Sequence, residues 1–165
     1  MIKTILIATD FSLESLHLMQ KVLRDKNSAD SGIQFNIFLV SGYDAGDSIR
    51  NLLFNTKGKI FNKIISKEFS DAYNIIKNKY PHLVNKVMCD VFTGNFQRTF
   101  DQYLITENVE EAYYTDYLQD STSKRKFDLA PFLKKNSVLE AQEIKTPNKG
   151  FLPEKGKIAE VFVEV

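Results

Sequence analysis

The first twelve residues constrain the fold more than any other stretch: after Met1 come Ile2-Lys3-Thr4-Ile5-Leu6-Ile7-Ala8-Thr9-Asp10-Phe11-Ser12. Ile5, Leu6, Ile7 and Ala8 are apolar on both parities, the pattern of a strand buried on both faces and so central in a parallel sheet. The strand stops on a carboxylate. Ser12 follows as an N-cap, a hydroxyl able to accept from a free amide of the first turn. Leu13, Leu16, Met19 and Leu23, widened by Val22, recur at helical spacing until the polar cluster at 27–32 ends the helix. A strand, a tight turn and a helix in about thirty residues form half of a βαβ unit. Ligands of parallel sheets bind beside the carboxyl ends of the strands, which makes Asp10 the first candidate site residue.

The alternation continues along the chain. Residues 35–43 (FNIFLVSGY) read as a second buried strand, and 44–58 as a loop with one turn near 49–54. Phe61, Ile64, Ile65, Phe69, Ala72 and Ile76 then fall on one helical face, and Tyr80-Pro81 stops the helix because proline disfavours a helical residue before it. A third strand at 84–93 carries Val87, Cys89 and Val91 on one parity, Met88 and Phe92 on the other. Gly94-Asn95 makes a turn with Asn95 as cap, and Phe96, Phe100, Tyr103 and Leu104 stripe a short helix. A weaker strand at 110–115 again stops on a carboxylate, Asp116. After the polar run 117–128, Leu129, Phe132 and Leu133 suggest a short helix with Pro131 in its first turn. Residues 138–144 are a fifth strand, less hydrophobic and so nearer an edge. A connector at 145–157 leads to a closing alternation, Ala159, Val161, Val163 and Val165 against Glu160, Phe162 and Glu164.

This order predicts an α/β fold of three layers, a five-stranded mainly parallel sheet with long crossovers, plus a C-terminal extra strand. Residues 1–145 form the α/β domain and 146–165 its connector and last strand. That strand has one wholly apolar parity and must be covered, either antiparallel on an edge or across a two-fold axis with a second copy.

Composition narrows the function classes. A chain of 165 residues that is 43% hydrophobic suits one domain with one proper core. With 22 basic and 21 acidic side chains the net charge is +1, which gives no pull toward nucleic acid or an anionic membrane. Cys89 is the lone cysteine and implies a reducing compartment. The apolar start is too short for a secretory segment, and no run nears the roughly 20 residues needed to span a bilayer. The expected location is the cytoplasm. His17 and His82 have no ligating residue at i+4, so no metal site is expected. Neither lies at the carboxyl end of a strand, which leaves no Ser-His-Asp arrangement.

The opening strand with its Thr9-Asp10-Phe11-Ser12 ending, and the later Val91-Phe92-Thr93-Gly94 before a short helix, resemble the universal stress protein family. The first dozen residues match closely, and the order of elements agrees to about residue 145. The resemblance implies an adenine nucleotide alpha hydrolase-like sheet and dimerisation commonly through the last strand; a non-enzymatic role is the leading expectation. In ATP-binding members an aspartate after the first strand and a glycine after the third help hold the nucleotide; Asp10 and Gly94 match those positions. The phosphates are cradled after the fourth strand by two glycines three apart and a later Gly-Ser or Gly-Thr, where backbone amides must approach closely. Between Asp116 and Asn136 this chain has no glycine. It therefore resembles the branch that does not bind ATP, and no cofactor is expected.

Ser121, Thr122, Ser123, Lys124 and Arg125 offer hydroxyls and cations to an anion, as an alternative site beside Asp10; a solvated charged loop is the plainer reading. Asp10 as the catalytic carboxylate of a hydrolase is a further alternative, against a purely local capping role. The leading expectation is a stress-related or regulatory protein acting through a homodimer or a protein partner, without ATP.

Overall fold

A computed structural model of the chain describes residues 1–29, 32–44, 65–115 and 126–145. Among these residues the sheet has six strands: β1 (Ile2–Ala8), β2 (Gln34–Tyr43), β3 (Val84–Phe92), β4 (Glu111–Tyr114), β5 (Lys126–Phe127) and β6 (Ala141–Glu143). Four helices accompany them: α1 (Leu16–Ala29), α2 (Lys67–Lys79), α3 (Gln97–Thr106) and α4 (Ala130–Lys135). The strand order is β3-β2-β1-β4-β6 with every neighbour parallel, and β5 pairs antiparallel with β2. Strand β1 is central, as its two-sided apolar pattern requires: Ile5, Leu6, Ile7 and Ala8 are all fully buried.

Alternate residues of the sheet feed two cores. Ile5 and Ile7 pack with Leu16, Met19 and Leu23 of α1 and Phe69, Ala72 and Ile76 of α2. Leu6, Ala8, Val40 and Phe92 pack on the opposite face with Phe100 and Leu104 of α3 and Ala130 and Leu133 of α4. The three-layer parallel architecture is thereby realised. Because β1 has β2 on one side and β4 on the other, the chain reverses its direction of advance there, and the topological switch point falls at the carboxyl end of β1.

Three boundaries differ from the sequence expectation. Helix α2 starts only at Lys67, because the Ser66 hydroxyl caps it by accepting from the Phe69 amide at 3.1 Å. Ile65 precedes this helix, and the expected positions Phe61 and Ile64 lie outside the described residues. Asn95 does not cap α3. Phe96 holds that position without a side-chain bond and is 72% exposed, so it leaves the apolar stripe. Finally, a single 3-10 turn, Leu13–Ser15, stands between the Ser12 cap and α1. The expected edge strand is present as β6, shortened to three residues. The connector, the terminal alternation from Ala159 to Val165, and any pairing of that segment lie outside the described residues. No described helix is long and apolar enough to cross a membrane.

Candidate functional site at the carboxyl ends of the strands

The chain leaves β1 through a tightly bonded turn. Thr9 extends the ladder by one bond, its amide donating to the Val40 carbonyl at 2.9 Å. Phe11 then takes a left-handed conformation, φ 59°, uncommon for a bulky residue and held here from both sides. Its amide donates to Thr9 Oγ1 at 2.9 Å, and its ring meets Phe69 of α2 edge-on with centroids 5.5 Å apart. The Ser15 hydroxyl donates to the Ser12 carbonyl at 2.7 Å and lies 2.6 Å from Thr9 Oγ1.

Asp10 sits in the middle of this turn and is only 7% exposed. Its Oδ1 accepts from the Ser12 amide at 2.9 Å and from the Ser12 hydroxyl, which in turn caps the Ser15 amide at 3.3 Å. This is an Asx-turn feeding a helix cap. The carboxylate therefore does local structural work.

The Asp10 carbonyl is engaged as well, by Lys126 Nζ at 2.8 Å. Lys126 belongs to β5, whose register is Gly42 to Phe127 and Tyr43 to Lys126. Gly42 already faces Phe92 of β3 across its other edge. Strand β5 must then lie on the β1 side of β2, in line with β1 and across its carboxyl end. Gly42 makes that close approach possible: a Cβ there would run into the Phe127 ring and come within 2.6 Å of the Phe127 carbonyl oxygen. The Phe127 ring joins Phe92 and Phe132, with centroids 6.5 and 5.9 Å away.

Asp128 follows. Its Oδ1 accepts from the Ala130 amide at 2.9 Å, in the first turn of α4. Burial pushes its carboxyl above the ordinary range and the nearby Asp10 charge adds to that, while the Ala130 amide and the Lys134 charge oppose them.

Gly94 stands at the same carboxyl edge, with β2 between its strand and that of Asp10. Its own surroundings explain it. An added Cβ would lie 2.6 Å from Phe92 Cζ and 2.8 Å from Thr99 Cγ2, so glycine is needed there for packing against the chain's own ring. The remaining expected site residues, Ser121, Thr122, Ser123, Lys124 and Arg125, lie outside the described residues. A separate cleft of about 590 Å³ runs between α4 and β6, lined by residues including Tyr114, Lys134, Ser137 and Glu140; neither Asp10 nor Gly94 lines it.

Other reactive side chains are held quietly. Burial first, then the Asp90 charge, pushes the Cys89 thiol up to about 11, far from thiolate chemistry at neutral pH. Tyr103 donates to Asp90 Oδ2 at 2.6 Å, and burial with that bond keeps its hydroxyl protonated. Burial lowers the pKa of His17, and His82 Nε2 lies 2.7 Å from Asn27 Oδ1. Among the described residues no three potential ligands gather into a metal site.

Sequence reasoning found Asp10 and Gly94 but missed Gly42, Lys126, Phe127 and Asp128. One signal was available: a glycine inside an apolar strand marks close approach of another segment.

No family model matches the chain, and no curated protein matches it. Solved structures do. They include the universal stress protein UspA from Lactobacillus plantarum, at TM-score 0.54 and 9% identity, covering 86% of this chain and 97% of that one. A universal stress protein family protein from Arabidopsis thaliana, with AMP bound, gives TM-score 0.51 and 10% identity over 95% and 98%. A universal stress protein family protein from Burkholderia pseudomallei gives TM-score 0.50 and 12% identity over 86% and 95%. The chain has a universal-stress-protein-like fold, a parallel α/β sheet with helices on both faces.

Proposed function

We propose that this chain is a non-enzymatic universal-stress-protein-like domain with a stress-related or regulatory role in the cytoplasm. It acts by forming a homodimer or binding a protein partner, without ATP. One observation carries the reading: the two residues at the positions that hold nucleotide in the resembling family are committed to their own chain. Asp10 Oδ1 is taken by Ser12, and Gly94 makes room for the Phe92 ring and Thr99. The absence of glycine between Asp116 and Asn136 supports it, since an amide cradle for phosphate needs that freedom. Homodimerisation draws support from the alternation Ala159 to Val165, which needs a cover.

Light scattering on the full chain and on a chain ending at Pro153 tests the dimer. A dimer that becomes a monomer on truncation is expected, and an unchanged dimer mass contradicts pairing through the last strand.

A second reading, a nucleotide- or anion-binding sensor, is favoured by the Ser121 to Arg125 run and by the AMP in the Arabidopsis structure. Calorimetric titration with ATP, AMP and inorganic phosphate separates the two. The hydrolase reading has the least support, because the Asp10 carboxylate is buried and already bonded within its own turn.

A further inference from the structure

Among the described strands, β5 is unlike the other joints of the sheet. It is two residues long and runs antiparallel in an otherwise parallel array. Lys126 and Phe127 are half-buried, whereas Gly42 and Tyr43, which they cover, are buried. Three complementary features meet there. The β2 edge offers backbone pairing at Gly42 and Tyr43, the Asp10 carbonyl receives an ammonium at 2.8 Å, and the missing side chain of Gly42 leaves a notch filled by an aromatic ring. Together these read a strand with lysine followed by an aromatic residue. Main-chain pairing supplies adhesion and the two side chains supply selectivity, the logic of strand addition to an exposed edge.

We propose that the edge at Gly42–Tyr43 together with the Asp10 carbonyl is a peptide-binding site for an extended Lys-aromatic segment, occupied in this structure by the chain's own Lys126–Phe127. The occupant to be admitted is a partner strand of that chemistry, which competes with β5 while the parallel sheet stays folded. The inference rests on the partner-binding reading above and gives that partner a chemical class.

The probe is a fluorescent peptide with the chain's own sequence at 124–129, KRKFDL, measured by anisotropy. The full chain carrying Lys126→Ala and Phe127→Ala should bind it at least tenfold more tightly than the unaltered chain. Replacing the peptide's phenylalanine by alanine should remove that gain. Folding of the variant is checked by the protection of the Cys89 thiol. A folded variant that binds neither peptide, or both equally, overturns the site. If the variant does not fold, hydrogen exchange on the unaltered chain decides. Amides bonded across the β2–β5 joint that exchange together, at least tenfold faster than those of Ile37 to Leu39, support the site; equal protection overturns it. Peptide failure with the dimer intact removes this inference and leaves the partner-binding reading standing.

Discussion

At the amino end of β4, charged side chains bond one another; at the carboxyl ends of β1 and β2 they bond backbone. Lys26 Nζ lies 2.6 Å from Glu111 Oε2, which also accepts from the Tyr113 hydroxyl at 2.9 Å, and the ammonium stands over the Phe35 and Tyr113 rings at 5.3 and 5.7 Å. At the other end Asp10 holds the Ser12 amide, Asp128 the Ala130 amide, and Lys126 the Asp10 carbonyl. A pair of side chains can be broken or titrated while the backbone keeps its course. A side chain bonded to backbone sets the course of the loop itself. In a ligand-binding α/β protein, polar groups at the carboxyl ends stay available to the ligand. Among the described residues, Asp10, Asp128 and Lys126 build the turns.

The largest expected effect tests the closed end. Gly42→Ala places a methyl group against the Phe127 ring and carbonyl. It should cost about 1–3 kcal/mol by overpacking, read by urea unfolding. A neutral result would mean that β5 does not sit against β2 as described.

Next comes the paired end. Lys26→Met leaves half-buried Glu111 with only the more distant Lys3 ammonium at 4.0 Å and should cost about 1–2 kcal/mol, between the exposed and buried limits for such pairs. The pH dependence carries the same signature. Burial pushes the Glu111 carboxyl up, but the Lys26 and Tyr113 hydrogen bonds and the Lys26 and Lys3 charges outweigh it, leaving the carboxyl below its ordinary value of 4.5. A depressed folded value contributes stability above the unfolded value, lost as pH falls through the folded one. Stability should therefore fall below about pH 4.5, and less steeply in Lys26→Met.

Ser12→Ala removes the cap on Ser15 and one donor to Asp10, for about 1 kcal/mol in the same unfolding assay. Asp10→Asn is the smallest, because an amide oxygen can still accept from the Ser12 amide. Stability should change by less than about 1 kcal/mol. Removing the Asp10 charge should also bring the Asp128 carboxyl down toward its ordinary value, observable by NMR titration.

Much of the fold was legible in the sequence, for a physical reason. Strands buried on both faces and helices with a single stripe leave strong periodic patterns, so β1, β2, β3 and the core faces of α1 and α2 follow from residue order. Periodicity misled where a local bond decides the boundary. Ile65 continues the stripe of α2 backwards, yet the Ser66 cap fixes the start of that helix at Lys67. Phe96 matches the α3 spacing but precedes the helix and faces solvent. At the candidate site, Asp10 and a local capping role for its carboxylate were readable, and the approach of Lys126 to its carbonyl was not. Lys126 lies 116 positions from Asp10 and Phe127 85 positions from Gly42, both at the end of a polar run, and two residues carry no period. Only the notch at Gly42 hinted that another segment arrives there.

The central proposal is that the carboxyl end of β1 is committed to its own chain and that the protein acts without a nucleotide there. Thermal unfolding with and without saturating AMP tests it most directly. A ligand at 100 times its dissociation constant adds about 2.7 kcal/mol to stability, a shift of several degrees for a domain of this size. An unchanged midpoint is the predicted result. A rise that grows with AMP concentration, and that is lost in Asp10→Asn, would contradict it.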